Sequence, residues 1–92
     1  MRELNYTTQF ERDYKREKKN SIHKELDLDL STIIDQLAAD KPLAKKYSDH
    51  SLKGIYADSR ECHIKSDLLL IYRKPDIKIL ELVRLGTHSE LF

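Results

Sequence analysis

Residues 60–73 read RECHIKSDLLLIYR and hold two strand-like stretches on either side of a short turn. In residues 60–65 side chains alternate, with Cys62 and Ile64 on one face and Glu61, His63 and Lys65 on the other. Residues 68–73 are a nearly continuous apolar run, typical of a strand buried on both faces. Parallel neighbours need a crossover of about a dozen residues, so two strands joined by Ser66-Asp67 are predicted to pair antiparallel.

The pattern extends on both sides of this hairpin. Further strands are predicted at about residues 52–58 and 77–85, separated by the turns Asp58-Ser59 and Lys74-Pro75-Asp76. These short connections again predict antiparallel neighbours. Near the start of the chain, residues 2–6 alternate and form a short first strand.

Two helices are predicted between the first strand and the others. Thr8 with Glu11 is interpreted as a capping box that opens the first helix, whose Phe10 and Tyr14 share a face. Asn20-Ser21 ends that helix and can cap the second. The apolar stripe of the second helix, which Pro42 bounds, consists of Leu26, Leu30, Ile33 and Leu37.

The predicted order is therefore β-α-α-β-β-β-β, in one domain over residues 1–92. This is an α+β fold in which an antiparallel sheet carries both helices on one face. The other face of the sheet is left open for a ligand.

Composition excludes several classes of protein. The chain has 92 residues, of which 39% are hydrophobic and 36% charged, as expected for a globular protein. No apolar run approaches the roughly 18 residues of a membrane span, and the N-terminus lacks the apolar region of a signal peptide. The lone Cys62 cannot form an internal disulfide, which favours a reducing compartment. We therefore expect a cytoplasmic protein without a membrane association.

Charge is distributed unevenly along the chain. Residues 1–24 carry seven Lys or Arg against four acids, residues 25–40 none against five, and residues 41–92 ten against seven. This separation suggests a polyanionic partner, although solvated helix faces would give the same pattern. The candidates for contacts with such a partner are Arg12, Lys15, Arg16, Lys18, Lys19, Lys45, Lys46 and Lys53.

Three of the four histidines fall in the second half of the chain, at His50, His63 and His88. Histidine exchanges protons near neutral pH, so several of them on a basic surface suggest acid–base chemistry on an anion such as RNA. His63 is expected on the open face with Lys65, which makes Lys65 a candidate for phosphate binding. A single strand histidine more often has no chemical role, and the remaining one, His23, lies outside this group.

Three stretches, in this order and at this chain length, resemble a known toxin family. They are residues 46–54 (KYSDHSLKG), residues 60–72 (RECHIKSDLLLIY) and residues 84–92 (RLGTHSELF). Together they resemble the YafQ branch of the RelE superfamily, bacterial type II toxins that act as ribosome-dependent mRNA endonucleases. The resemblance spans the chain in element order and is most specific from His50 onward.

The resemblance implies RNA cleavage without a metal or other cofactor, in which a 2′-hydroxyl attacks the adjacent phosphate. This reaction needs a base, an acid and positive charge near the phosphorane. The family's catalytic set, carried over position by position, consists of His50, His63, Asp67 and His88. By the same resemblance Arg84 stabilises the phosphate, and Phe92 is a terminal aromatic residue beside the substrate.

Each member of this set has an expected role. His50 is the general base, because it leads into the open face from a flexible segment, and His88 is the general acid. His63 binds the scissile phosphate or shares the proton transfer. Asp67 orients an imidazole, unless it is only a turn residue. Cleavage should then depend on pH in a bell shape.

The resemblance also implies partners. They are the 70S ribosome, its mRNA and a cognate DinJ-like antitoxin, all in the bacterial cytoplasm. The ribosome would position the mRNA, since the chain has no tryptophan and only one tyrosine, Tyr72, is expected near the site.

Two other functions use the same residues. The three histidines and Asp67 could hold a transition metal in a hydrolase, although their spacing fits no metal motif. Loss of activity on chelation would favour that alternative. The chain could instead be a non-catalytic RNA- or ribosome-binding module, which would keep its effect after His88→Ala.

Overall fold

The computed structural model describes residues 1–20, 23–65 and 67–92. Its elements are β1 (Glu3–Tyr6), α1 (Thr8–Lys18), α2 (Leu26–Ala38), β2 (His50–Ser51), β3 (Arg60–Lys65), β4 (Leu68–Asp76), β5 (Ile79–Gly86) and α3 (His88–Leu91), with 3-10 turns at Lys45–Tyr47 and Gly54–Tyr56. The predicted α+β fold is confirmed. The predicted helix break at Ser21 and turn at Ser66 lie outside the described residues.

The five strands form one sheet in the order β1-β5-β4-β3-β2. Strands β2 to β5 are the antiparallel meander that the short connections predicted. The sheet is nevertheless mixed, because β1 pairs parallel with β5, from Glu3 opposite Ile79 to Tyr6 opposite Leu82. The long connection through α1 and α2 supplies the crossover that a parallel pair requires.

Both long helices pack on one face of this sheet, which we call the helix face. The predicted stripe of α2 is fully buried there, and Phe10 of α1 lies in the same core. Strands β3 and β4 meet the helices with Cys62 and Leu70, which are both completely buried. The 3.6-residue period of the helix and the two-residue period of the strand therefore converge on one core.

The predicted strand over residues 52–58 is wrong. Strand β2 covers only His50–Ser51, and the chain then enters the 3-10 turn Gly54–Tyr56. Gly54 has a φ of 71°, a conformation that breaks the strand and that other residues rarely adopt. Leu52 and Tyr56 pack instead against residues on the opposite face of the sheet.

The N-terminal cap of α1 lies one residue earlier than predicted. The Thr7 hydroxyl accepts a hydrogen bond from the Phe10 backbone N–H at 2.9 Å and donates one to the Val83 carbonyl at 2.8 Å. The proposed capping box of Thr8 and Glu11 is therefore wrong. Thr7 ties the start of α1 to β5 as well as capping the helix.

The turn predicted at Lys74-Pro75-Asp76 is also displaced, because β4 continues to Asp76 and the chain reverses at Ile77-Lys78. Pro75 falls within a shift of register between Arg73 and Asp76. A strand tolerates proline at such an irregularity, because the ladder needs no N–H there.

The opposite face of the sheet, which we call the site face, is partly covered. Leu69 and Ile71 of β4 form a small buried cluster with Leu91 of α3. Helix α3 begins with a capping box, in which Thr87 and Glu90 each accept a hydrogen bond from the other's backbone. The sequence analysis did not predict this helix. Within the described ranges, no helix is long and apolar enough to cross a membrane.

Candidate active site

Strand register brings the candidate residues to the site face. His50 pairs with Glu61, Glu61 with Ile71 and Ile71 with Arg84 across four neighbouring strands. Residues that are paired directly share a face of the sheet. The next such row is His63, Leu69 and Gly86, and α3 starts two residues after Gly86. His50 and His63 therefore lie on the site face, and His88 begins the helix whose Leu91 packs against Leu69 and Ile71.

A buried carboxylate lies between two of these histidines. Glu61 is 4% exposed, and its Oε1 lies 3.9 Å from His50 Nε2 and 3.6 Å from His63 Nε2. Both distances exceed hydrogen-bond range, so one small shift would allow Glu61 to bond either imidazole. The sequence analysis missed Glu61. Its parity with His63 was visible, but its pairing with His50 depends on the register of β2.

His50 has a defined tautomer in its neutral form. Its Nδ1 lies 2.6 Å from the Ser48 carbonyl oxygen, which can only accept a hydrogen bond. We therefore assign the proton to Nδ1, which leaves the lone pair on Nε2. The imidazole is half exposed, so this lone pair is accessible from solvent. His50 Nε2 is thus suited to take a proton from a ligand.

Helix α3 places two rings beside each other at the other end of the site. The centroids of His88 and Phe92 are 4.9 Å apart, and Phe92 meets Tyr56 edge-on at 5.8 Å. Asp67 Oδ1 accepts a long hydrogen bond, 3.4 Å, from the His88 backbone N–H. Asp67 thus contacts the peptide backbone of His88, whereas the sequence analysis expected it to orient an imidazole.

Arg84 is held by a buried aspartate from α1. Its Nε and Nη2 lie 2.7 and 3.2 Å from the two carboxylate oxygens of Asp13, and its Nη1 lies 3.4 Å from the Tyr56 hydroxyl. Burial opposes ionisation of Asp13, but hydrogen bonds from Arg84, the Leu85 N–H and Arg16 outweigh it and lower the Asp13 pKa. Arg84 therefore stays charged close to the Tyr56–Phe92 pair.

Contrary to expectation, Lys65 does not lie on the same face of β3 as His63, although both side chains line one cleft beside Asp29. The pairing of β3 with β4 shifts between His63 and Lys65, and Lys65 is opposite the core residue Leu68. A bulge of this kind lets two consecutive residues lie on the same side of a sheet. The ammonium group of Lys65 consequently pairs with Asp29 of α2 at 2.9 Å.

Two residues outside the catalytic set also have clear positions. Tyr72, expected near the site, lies in the helix-face core, and its hydroxyl donates to Asp49 Oδ1 at 2.6 Å. The tyrosine beside the candidate site is Tyr56. His23 is nearly buried, with its Nε2 3.3 Å from Glu17 Oε1.

The geometry does not form a preorganised metal site. Among residues 1–20, 23–65 and 67–92, no group of three or more His, Cys, Asp or Glu side chains is arranged to hold a metal ion. Glu61 Oε1 lies 3.6 and 3.9 Å from the Nε2 atoms of His63 and His50, somewhat more than the roughly 3.3–3.4 Å that separates two ligands of one tetrahedral zinc ion.

The relatives of this chain share its length and fold. The mRNA interferase toxin YafQ of Escherichia coli K12 is 35% identical over 92 residues, covering 99% of this chain and 96% of the relative. A metal-bound toxin from Helicobacter pylori is 45% identical, with a TM-score of 0.86 and full coverage of both chains. The toxin in an E. coli DinJ–YafQ complex is 34% identical, with a TM-score of 0.85, covering 100% of this chain and 99% of that one.

A family-level match covers nearly the whole chain. Residues 2–92 match the bacterial toxins of type II toxin–antitoxin systems described as YafQ. The matched range includes every residue of the candidate site. The chain belongs to the YafQ family of type II toxins.

Proposed function

We propose that this chain is an mRNA interferase that cleaves mRNA on the ribosome by acid–base catalysis. The observation that carries the proposal is the convergence of His50, Glu61 and His63 on the same face as His88 and Phe92. Membership of a toxin family, and the name mRNA interferase of its E. coli relative, support it.

In the proposed reaction, His50 Nε2 removes the proton from the 2′-hydroxyl of one nucleotide. The resulting oxygen forms a bond to the adjacent phosphorus, and the bond from phosphorus to the 5′-oxygen breaks. His88 donates a proton to the departing oxygen, which leaves a cyclic phosphate and a 5′-hydroxyl. The free lone pair on His50 Nε2 supports its role as the base.

Charged groups around His50 and His63 would stabilise the transition state. The Glu61 carboxylate lies within 4 Å of both imidazoles and can accept a hydrogen bond from the ring that takes the proton, while His63 contacts the phosphate. The guanidinium of Arg84 offers positive charge for the phosphorane, and Asp13 keeps that group in place. Phe92 and Tyr56 present one pair of rings on which a base can stack.

The ribosome would supply most of the positioning. The site face is only partly covered, and its aromatic surface near α3 is limited to Phe92 and Tyr56 in the described structure. A bent, in-line arrangement of the mRNA must then come from the decoding site. The exposed cations at the end of α1 and after β2, such as Lys19 and Lys53, are suited to contacts with ribosomal RNA.

The main test maps mRNA 5′ ends after expression in a bacterium. The parent chain should produce new 5′-hydroxyl ends within translated codons, and His88→Ala should abolish them while its ribosome binding persists. His23→Ala is the control, because His23 contacts Glu17 away from the site face, and its pattern of ends should match that of the parent. An unchanged pattern in His88→Ala would instead indicate a non-catalytic binding module.

We further propose that a cognate antitoxin neutralises the chain. The E. coli relative was solved in complex with DinJ, which supports a partner of this type here. Adding the antitoxin to a cleavage reaction on ribosomes should stop cleavage once one equivalent of antitoxin is present for each toxin. An antitoxin that binds tightly but leaves cleavage intact would contradict this part.

A metal-dependent hydrolase is the second candidate, and the metal-bound state of the H. pylori relative favours it. The two mechanisms make opposite predictions. Acid–base cleavage by histidines should proceed at the full rate in EDTA, and added copper or zinc should inhibit it by occupying imidazoles. Loss of cleavage in EDTA, with recovery on adding metal, would establish the second candidate.

A further inference from the structure

Arg16 of α1 links three parts of the fold. Its Nη1 lies 2.9 Å from Asp13 Oδ1, its Nε 2.8 Å from Glu17 Oε2, and its Nη2 donates to the Leu85 carbonyl at 2.9 Å. The same Nε lies 3.0 Å from Glu90 Oε2, on α3. An arginine that served only to bind RNA would keep its N–H donors available to the ligand. All three side-chain nitrogens of Arg16 instead have partners within the protein.

The guanidinium lies against the backbone where β5 ends. A Cβ added at Gly86 would lie 2.9 Å from Arg16 Nη2 and 3.1 Å from Glu90 Oε1. Only glycine permits the arginine and the glutamate to approach the chain this closely. Gly86 immediately precedes Thr87, which caps α3.

Glu90 connects this contact to α3. Its Oε1 accepts the Thr87 backbone N–H at 2.7 Å in the capping box, while its Oε2 faces Arg16. The hydrogen bond from Thr87 is the main cause that lowers the pKa of Glu90, and the positive charge of Arg16 adds to it. One carboxylate therefore both caps α3 and ties that helix to α1.

Helix α3 needs such support because it is only four residues long, His88–Leu91. A helix of this length is not stable on its own, so tertiary contacts must hold it. Leu91 provides one contact by packing on Leu69 and Ile71. The ion pair between Glu90 and Arg16 is the second contact.

We propose that Arg16 is a positioning residue that fixes α3 and thereby orients His88 and Phe92. This inference rests on the proposed function for its catalytic consequence, but the positioning itself can be measured without RNA. Arg16 thus differs from Arg12, which lies one turn earlier on α1 and makes no side-chain ion pair within the described residues.

The first experiment follows α3 in the free protein by NMR. Two amides report its formation, because Leu91 N–H donates to Thr87 and Phe92 N–H donates to His88. Arg16→Gln should lower the hydrogen-exchange protection of both amides at least tenfold and weaken the contact between the His88 and Phe92 rings. Arg12→Gln and Lys41→Gln, which each remove one exposed positive charge, should leave these signals at parent values.

The second experiment measures single-turnover cleavage on saturating ribosomes. Arg16→Gln should lower the maximal cleavage rate tenfold or more. The ribosome concentration that gives half of the maximal rate should not rise. Arg16→Lys keeps the charge but has one nitrogen for four partners, so it should recover only part of the rate. Arg12→Gln should instead raise the half-saturating ribosome concentration.

Glu90→Gln tests the same link from the other side. Its amide oxygen can still cap Thr87, but the charge that attracts Arg16 is gone, so the two amides of α3 should again lose protection. If Arg16→Gln and Glu90→Gln both leave α3 protected, the proposal is overturned. A different result would separate the two proposals. If Arg16→Gln and Glu90→Gln loosen α3 but the His88→Ala variant still cleaves mRNA, Arg16 positions α3 and the proposed catalytic function is wrong.

Discussion

The two faces of the sheet carry different kinds of residues, although consecutive positions of the same strands supply both. On β3, Cys62 enters the core beneath α2, while its neighbours Glu61 and His63 face the candidate site. On β4, Leu70 belongs to the helix face and Leu69 to the floor of the site. The helix face therefore holds most of the core, and the site face holds the candidate catalytic residues over a smaller apolar cluster.

The largest effect should come from the site face, at His63. His63→Ala should lower single-turnover cleavage by roughly a hundredfold to a thousandfold, the usual cost of removing one group that stabilises charge in the transition state. The melting temperature should change little, because the side chain is about one-third exposed. Cleavage within threefold of the parent rate would remove His63 from the catalytic set.

The matching change on the helix face is Leu70→Ala. Leu70 is completely buried in the central strand, so the cavity left behind should lower the free energy of unfolding by about 2–5 kcal/mol. Urea denaturation measures this loss. The protein that remains folded should cleave mRNA at the parent rate, and a slower rate would show that the two faces are coupled.

Glu61→Gln sharpens the comparison, because Glu61 is a buried residue on the site face. The change keeps the shape of the side chain and removes its charge from both imidazoles. We expect cleavage to fall roughly tenfold to a hundredfold, equivalent to about 1.4–2.7 kcal/mol in the barrier. Stability should stay constant or rise, since among the described residues this buried carboxylate has no Arg or Lys partner, and such a group is costly. A clear loss of stability would make Glu61 a structural residue.

Asp13 lies beneath the end of β5 and predicts a dependence of stability on pH. Its pKa is lowered in the folded protein, so the unfolded chain takes up the proton first as the pH falls. The stabilisation is present above the unfolded value of about 3.9 and is lost as the pH falls through the folded value, by at most about 1.4 kcal/mol per pH unit. Asp13→Asn should have a lower free energy of unfolding at pH 7. Its plot of that free energy against pH should also lack the contribution of this group to the slope. An unchanged slope between pH 4 and pH 2 would exclude Asp13 as its source.

The smallest effect is expected at Cys62. Burial, with smaller contributions from the negative charges of Asp49 and Glu61, raises the pKa of its thiol to about 12. At pH 8 almost no thiolate is present, so iodoacetamide should react roughly a thousandfold more slowly than with a free cysteine. Mass spectrometry should find the folded protein unmodified and its cleavage unchanged. Rapid labelling of the native protein would mean that the helix face opens.

Local patterns predicted the helix face more completely than the site face. The stripe from Leu26 to Leu37 and the bounds of β3 follow from periodicity, which depends only on neighbouring residues. Glu61 was missed because its meeting with His50 depends on the register between β2 and β3. Lys65 was misplaced because a bulge reverses the alternation after His63, and the sequence has no glycine to mark it.

The C-terminal end of the site was predicted only in part. Resemblance identified His88 and Phe92 as candidates, but Thr87 and Glu90 were not recognised as a capping box, although their spacing fits one. The role of Arg16 could not be predicted from its neighbours on α1. Its partners Leu85 and Glu90 lie about 70 positions away, and only the folded chain brings them together.

The parallel pairing of β1 with β5 has a consequence for the order in which the protein is made. Glu3 can pair with Ile79 only after that residue, 76 positions later in the chain, has been synthesised. At about 5–20 residues per second, that interval lasts roughly 4 to 15 s of translation. Contacts of such long sequence separation also slow folding itself. His88 is synthesised later still, so the candidate site is complete only after α3 has emerged from the ribosome that makes it.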